Sequence, residues 1–400
     1  MPPLIFRKGL ELKHEVAQVL AESYNSSLIS KIKENNFQFT EGRLTVHLAE
    51  EFGFCYGVDR AVDYAYQAHK RFPDRQIFLT GEIIHNPHVN EQLRNHGIRF
   101  LSDQNENMHT LTPKDVVILP AFGVTIQTLV FLGNKGCTLV DTTCGSVLNV
   151  WKNVKRYADE GYTSVIHGKY WHEETQATAS QALQASAGHY LIVLDQNEAS
   201  IVCDYICHGG ATSKFLDRFS KAVSPGFDPK RDLVRIGCAN QTTMLSSESL
   251  KIGGMFREAI ATRYGETSLT SQFLAFDTIC SATQDRQDAV TSLLDKTHLN
   301  LMIVIGGYNS SNTCNLALIC NGKVNTYHIA EPACLVSTNT IKHKPVESKE
   351  EITSQAWLPH VGKIQIGLTS GASTPDNLVE ATLNKLSRLA NKGTQQNRHL

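Results

Sequence analysis

Short apolar runs punctuate the chain from Thr45 onward, separated by stretches with apolar residues at helical spacing. The runs are Ile77–Leu79, Val116–Leu119, Ser164–Ile166, Leu191–Leu194, Leu233–Ile236, Leu301–Ile305 and Ile364–Leu368, and most stop in glycine or small polar residues. A continuous run of this length, rather than an alternating one, predicts a strand buried on both faces. The chain therefore reads as α/β with mostly parallel sheets. Ahead of Thr45, residues Val16, Leu20, Tyr24, Leu28 and Ile32 recur every four positions. They predict one amphipathic helix within an N-terminal extension over residues 1–44. Gly209–Asp232 and Ser337–Glu350 predict long loops, and Asn391–Leu400 a polar tail.

One construction recurs three times. Leu139-Val140-Asp141 runs through Thr142-Thr143 to Cys144, and a helix follows with Val147, Val150, Val154 and Ala158 on one side and Ser146 as its expected N-cap. Thr45–Ala49 leads to Cys55 and a helix marked by Val58, Ala61, Val62 and Ala65. Phe273–Phe276 leads to Cys280 and a helix marked by Ala282, Ala289, Val290 and Leu293. A helix N-terminus favours thiolate over thiol, so three β/α units are expected to meet at one thiolate-lined centre.

Composition narrows the chemistry. With 400 residues there is room for two or three domains. The 38 basic and 39 acidic residues give no global field for nucleic acid or an anionic membrane, so an anionic substrate must be held locally. No apolar run is long enough to span a bilayer. The opening stretch lacks the apolar core of a secretory signal and carries Glu11 and Glu15, which predicts a cytosolic location. Ten cysteines there are expected to bind metal or to be buried, not to form a disulfide frame. Cys55, Cys144 and Cys280 share the junction placement, while Cys203 and Cys207, one helical turn apart, read as structural. Three thiolates suit an iron–sulfur cluster with one incompletely ligated iron, able to bind a substrate oxygen as well as to pass electrons.

Polar groups gather at the other strand ends: GEIIHNPHVN around His85, HEET beginning at His172, QTT beginning at Gln241, NSSN beginning at Asn309 and TSGAS ending at Ser373. Hydroxyls and amides at helix N-termini bind phosphate jointly with backbone N–H groups, which points to an anion site beside the cluster.

These motifs, with FGFCYGV around Cys55, VDTTC at Cys144 and DTIC at Cys280, resemble the 4-hydroxy-3-methylbut-2-enyl diphosphate reductase family of the methylerythritol phosphate route to isoprenoids. The likeness runs from about Thr45 to about Arg388, and PAFG and IHGKY resemble its cyanobacterial and plastid branch. It implies a trefoil of three α/β domains around a 4Fe–4S cluster held by Cys55, Cys144 and Cys280, with one iron left free of cysteine for the substrate's allylic hydroxyl. The implied division is an extension over 1–44, a domain over 57–143 with His85, another over 144–279, a third joining 45–56 to 280–388, and a flexible tail over 389–400. His85, His172, Ser310, Ser311, Asn312 and Ser373 would take the diphosphate, with His172 cationic. Glu174 would feed protons and Thr242 would orient the hydroxyl or a water. A ferredoxin or flavodoxin would deliver electrons singly, in a bacterial cytoplasm or, for a processed plant-type chain, a plastid stroma. Neither nucleic acid nor membrane is an expected partner. Where many bacterial members carry a second diphosphate histidine, this chain has Phe122, and Lys169 is expected to compensate. A cluster-bearing electron carrier without its own substrate, or a three-cysteine zinc hydrolase, would be the rival readings.

Overall fold

The computed structural model describes residues 4–276, 278–346 and 348–396. Three parallel sheets and one small hairpin organise them. The first sheet has five strands in the order Ile5–Phe6, Thr138–Asp141, Val116–Leu119, Ile77–Leu79 and Arg99–Phe100, all parallel. The second has four, in the order Phe273–Ala275, Ile236–Asn240, Thr163–His167 and Tyr190–Val193, again all parallel. The third runs Thr326–Ile329, Leu301–Ile305, Ile364–Ser370 and Leu44–Leu48 in parallel, with Gln38–Glu41 added antiparallel at its edge. Thr340–His343 pairs with Ile352–Gln355 as an antiparallel hairpin. Every residue of Val116–Leu119 and of Leu301–Ile305 is buried, as continuous apolar strands covered on both faces require.

The chain forms two compact units. One comprises Asp74–Gly81 and Arg99–Cys280 with the segment ending at Arg7, and holds the first and second sheets. The other comprises Lys8–Pro73, Glu82–Ile98 and the chain from Ser281 onward, and holds the third sheet and the hairpin. The helices Tyr56–Arg71 and Gly145–Asp159 each bury an apolar stripe, Val58/Ala61/Val62/Ala65 and Val147/Val150/Val154/Ala158, at the spacing read from the sequence. No helix among the described residues is long and apolar enough to cross a membrane.

Several expectations are corrected. The extension is not one helix but two, Lys13–Tyr24 and Ser27–Glu34. The chain breaks at Asn25, and Ser26 caps the second helix by accepting from the Ile29 N–H at 2.9 Å. That break lets Ile29 and Ile32 enter the core of the third sheet. The two stretches read as loops contain the helices Thr212–Phe219 and Pro229–Asp232 and the strand Thr340–His343. Leu233 ends a helix, so the strand expected there starts at Ile236 and extends to Asn240. The final helix, Asp376–Gln396, covers the start of the expected tail; residues 397–400 lie outside the described residues.

Candidate active site

Each of the three junction cysteines follows a strand of a different sheet: Cys55 after Leu44–Leu48, Cys144 after Thr138–Asp141, and Cys280 after Phe273–Ala275. Cys55 and Cys144 are themselves the N-cap residues of their helices, so Cys144 takes the position expected of Ser146. Cys280 immediately precedes the helix Ser281–Lys296. Backbone bonds fix all three: the Cys55 N–H donates to Ala372 O at 3.1 Å, that of Cys144 to Ala121 O at 2.8 Å, and that of Cys280 to Thr242 O at 3.3 Å. Asp277 of the DTIC motif lies outside the described residues.

All three thiols are partly exposed. Cys203, Cys207 and Cys314 are partly exposed too, but several of the other cysteines differ in their surroundings. Burial pushes the thiols of Cys203 and Cys320 up to about 12 and raises those of Cys137 and Cys238 as well. Such thiols stay protonated and inert. Cys207 donates through Sγ to Ala259 O at 3.7 Å, which supports the structural reading of the Cys203/Cys207 pair. Three accessible, soft donors, each at the start of a helix at least 15 residues long, fit an iron–sulfur group.

In the first unit, side chains around Cys280 form a connected set. The Ser146 hydroxyl lies 3.5 Å from Cys280 Sγ, which ties the Cys144 helix to the Cys280 loop. Glu174 is buried, 3% exposed, and its Oε1 accepts from the Thr242 N–H at 2.6 Å. Because Thr242 O also accepts from Cys280, one residue links the carboxylate to the cysteine loop. Gln241 braces the arrangement: its Oε1 accepts from the Lys169 N–H at 3.2 Å and the Thr175 hydroxyl at 3.0 Å, and its Nε2 donates to Thr243 Oγ1 at 2.8 Å. The HEET and QTT motifs are thus two halves of one support.

His172 is the N-cap of the helix Glu173–Ala182, and its Nδ1 accepts from the Glu174 N–H at 3.2 Å. With Nδ1 turned to the backbone in this way, Nε2 is the ring nitrogen left to donate outward. Phe122 packs edge-on against it, ring centres 6.1 Å apart. The residue standing in for a second histidine therefore orients the first. Lys169 sits on the same turn, its carbonyl accepting from the His172 N–H at 2.9 Å.

The second unit gathers the other predicted residues. His85 Nδ1 pairs with Glu82 Oε2 at 2.8 Å, and the same oxygen accepts from Asn309 Nδ2 at 3.4 Å. The Ser373 hydroxyl donates to His85 O at 3.2 Å. Ser310 caps the helix Ser311–Asn321, and Ser310, Ser311 and Asn312 are all buried at its N-terminus. Asn312 Oδ1 accepts from the Ala372 N–H at 2.9 Å, whereas its Nδ2, in a side chain 3% exposed, has no partner among the described residues. An unpaired buried donor at a helix N-terminus is suited to an anion's oxygen. Since Ala372 O holds the Cys55 N–H, this cradle and the Cys55 loop share one support. Two contributors escaped the sequence reading, the orienting carboxylate of Glu82 and the buried Arg286. Arg286 was signalled by its place in the apolar stripe of Ala282 and Val290.

Comparison with known proteins gives a consistent result. Residues 46–387 match the family model described as LytB protein. A 4-hydroxy-3-methylbut-2-enyl diphosphate reductase of Picosynechococcus sp. is 48% identical over 385 residues, covering 95% of this chain and 93% of the relative. The enzyme of that name from Thermosynechococcus vestitus is 49% identical over 391 residues, covering 97% and 95%. Among solved structures, one of (E)-4-hydroxy-3-methyl-but-2-enyl diphosphate reductase, the terminal enzyme of the non-mevalonate pathway, aligns with a TM-score of 0.52 at 26% identity, covering 86% of this chain and 99% of the other. A Plasmodium falciparum reductase structure aligns with a TM-score of 0.60 at 22% identity, covering 86% and 87%, which speaks for the fold alone.

Proposed function

The chain belongs to the LytB protein family, and from that premise we propose that it is a 4-hydroxy-3-methylbut-2-enyl diphosphate reductase, acting at the last step of the non-mevalonate route to isoprenoids. Two electrons and two protons would convert the substrate's allylic C–OH into C–H and water, giving isopentenyl and dimethylallyl diphosphate. The observation that carries this reading is the linkage of Glu174 through Thr242 to the Cys280 loop, with Ser146 Oγ 3.5 Å from the Cys280 sulfur. It supports a proton-holding role for Glu174 close to the Cys280 loop, which a plain electron carrier does not need.

The three parallel sheets are read as the cores of three α/β domains, each followed by one cysteine. A 4Fe–4S cluster on Cys55, Cys144 and Cys280 would supply single electrons and one iron open to an oxygen ligand. The chain's own groups do the rest. His85, His172, Ser310, Ser311, Asn312 and Ser373 bind the diphosphate. His172 donates through Nε2–H, and Asn312 through its unpartnered Nδ2. Thr242 orients the departing hydroxyl, and Glu174 holds the proton that leaves with it. Lys169, on the turn beside His172, adds positive charge to the diphosphate site. The electron donor is a ferredoxin or flavodoxin, met in a bacterial cytoplasm or a plastid stroma.

The test is anaerobic purification, visible and Mössbauer spectra, and an assay of diphosphate reduction. A brown protein with four irons per chain and turnover to both products is expected of a 4Fe–4S reductase. A cluster without turnover would make it a carrier. A colourless zinc protein would overturn the reading altogether.

A further inference from the structure

Arg286 is a buried charge with no counter-ion among the described residues. It lies in the second turn of the helix Ser281–Lys296 and is 3% exposed. Its Nη1 donates to Ala282 O at 2.7 Å and its Nη2 to Gly53 O at 2.8 Å, while Nε has no hydrogen-bond partner among the described residues. Among the described residues no carboxylate pairs with it. Asp285 and Asp288 of its own helix are exposed, and Asp376, close to Gly53, is paired with Lys33 at 2.9 Å.

Two neutral carbonyls do not cancel a unit charge, and an ion taken out of water needs an opposite one. The location makes matters worse, because a cation in the opening turns of a helix faces the positive end of the dipole. An anion bound to the finished protein would offset this cost. The residue Arg286 grips identifies which anion. Gly53 stands two residues before Cys55, in a positive-φ turn (φ +82°) whose N–H is held by Ser370 Oγ at 3.0 Å. An iron–sulfur core on three thiolates is net negative and gains one further negative charge on one-electron reduction.

We propose that Arg286 is a positioning residue for the cluster, fixing the Cys55 loop through Gly53 and supplying the positive charge that favours the reduced form. This rests on the cluster reading above. The test compares wild type, R286Q and R286K as anaerobically reconstituted holoenzymes, measuring iron per chain and the reduction potential by dithionite titration followed by electron paramagnetic resonance. In R286Q the reduction equilibrium should move at least about tenfold toward the oxidised form, about 59 mV more negative for one electron. R286K, which keeps the charge, should stay within about threefold of wild type, a fraction of that one-electron shift. An unchanged potential in iron-replete R286Q overturns the proposal, and so does R286K moving as far as R286Q. If R286Q takes up no iron, R286K decides: iron uptake at a near-wild-type potential supports the charge role, and iron loss with unchanged circular dichroism and unfolding midpoint overturns it. A wild-type chain that takes up no iron overturns the cluster reading itself, and with it this one.

Discussion

Glu174 carries three jobs with one residue. Its backbone N–H donates to His172 Nδ1, its Oε1 holds the Thr242 N–H, and its carboxyl, buried one residue from the Cys280 loop, is the proposed proton holder. Glutamine at this position keeps the backbone bond to His172 and an acceptor for Thr242, but loses the transferable proton. Glu174→Gln should therefore retain its iron and bind substrate, yet turn over at least about a hundredfold more slowly, the lower end for general acid catalysis. Near-normal turnover under saturating reductant would show that the proton comes from elsewhere. The cysteines divide just as sharply. Serine at Cys144 removes a soft donor from the set and should abolish most iron binding, as read by iron per chain and visible absorbance. Serine at Cys203, a thiol pushed up to about 12 by burial, should leave both unchanged. Full iron occupancy in Cys144→Ser would sink the assignment.

Elements decide how these residues meet, and here the sequence was only partly legible. Val116–Leu119 and Leu301–Ile305 were readable to the residue because a strand buried on both faces has to be apolar throughout. The strand Ile236–Asn240 was not, because Gly237, Cys238, Ala239 and Asn240 carry little strand preference, and its place is set by two parallel neighbours. The break at Asn25 was hidden by a four-residue repeat that continues unaltered across it. The functional motifs were legible as motifs. Their coupling was not, since Gln241 reaching Lys169 and Thr175, or Ser146 reaching Cys280, depends on contacts between distant segments. One such contact gives a prediction. Gly307 follows the strand Leu301–Ile305, and a Cβ there would collide with the carbonyl oxygen of His85. Gly307→Ala must push His85 away from the Ser373 hydroxyl and the anion cradle. The Michaelis constant should rise about tenfold, the scale of one weakened hydrogen bond to a charged group, with the cluster spectrum unchanged. An unaltered constant would mean that His85 does not set diphosphate affinity.

At the scale of the whole molecule, each of the three sheets leads to one junction cysteine, and the sheets are divided between two compact units. Acid threatens them alike, because each buries a neutral histidine. His167 ends a strand of the second sheet and His328 lies in a strand of the third, and burial pushes each down to about 4. In the unfolded chain such rings titrate near 6.5. The folded value lies below the unfolded one, so between the two the unfolded state binds more protons. The stability associated with each neutral ring is thus complete above about pH 6.5 and is lost as pH falls toward about 4, on the order of 3 kcal/mol per histidine. Urea unfolding followed by circular dichroism at pH 7.5, 6 and 5 should show falling stability. Replacing His167 or His328 with glutamine should flatten the decline, although each substitution removes a hydrogen bond, to Ser249 or to Gly306 O, and lowers stability at every pH. The slope, rather than the absolute value, is the decisive quantity. A decline equally steep in both variants would assign the acid sensitivity to carboxylates instead.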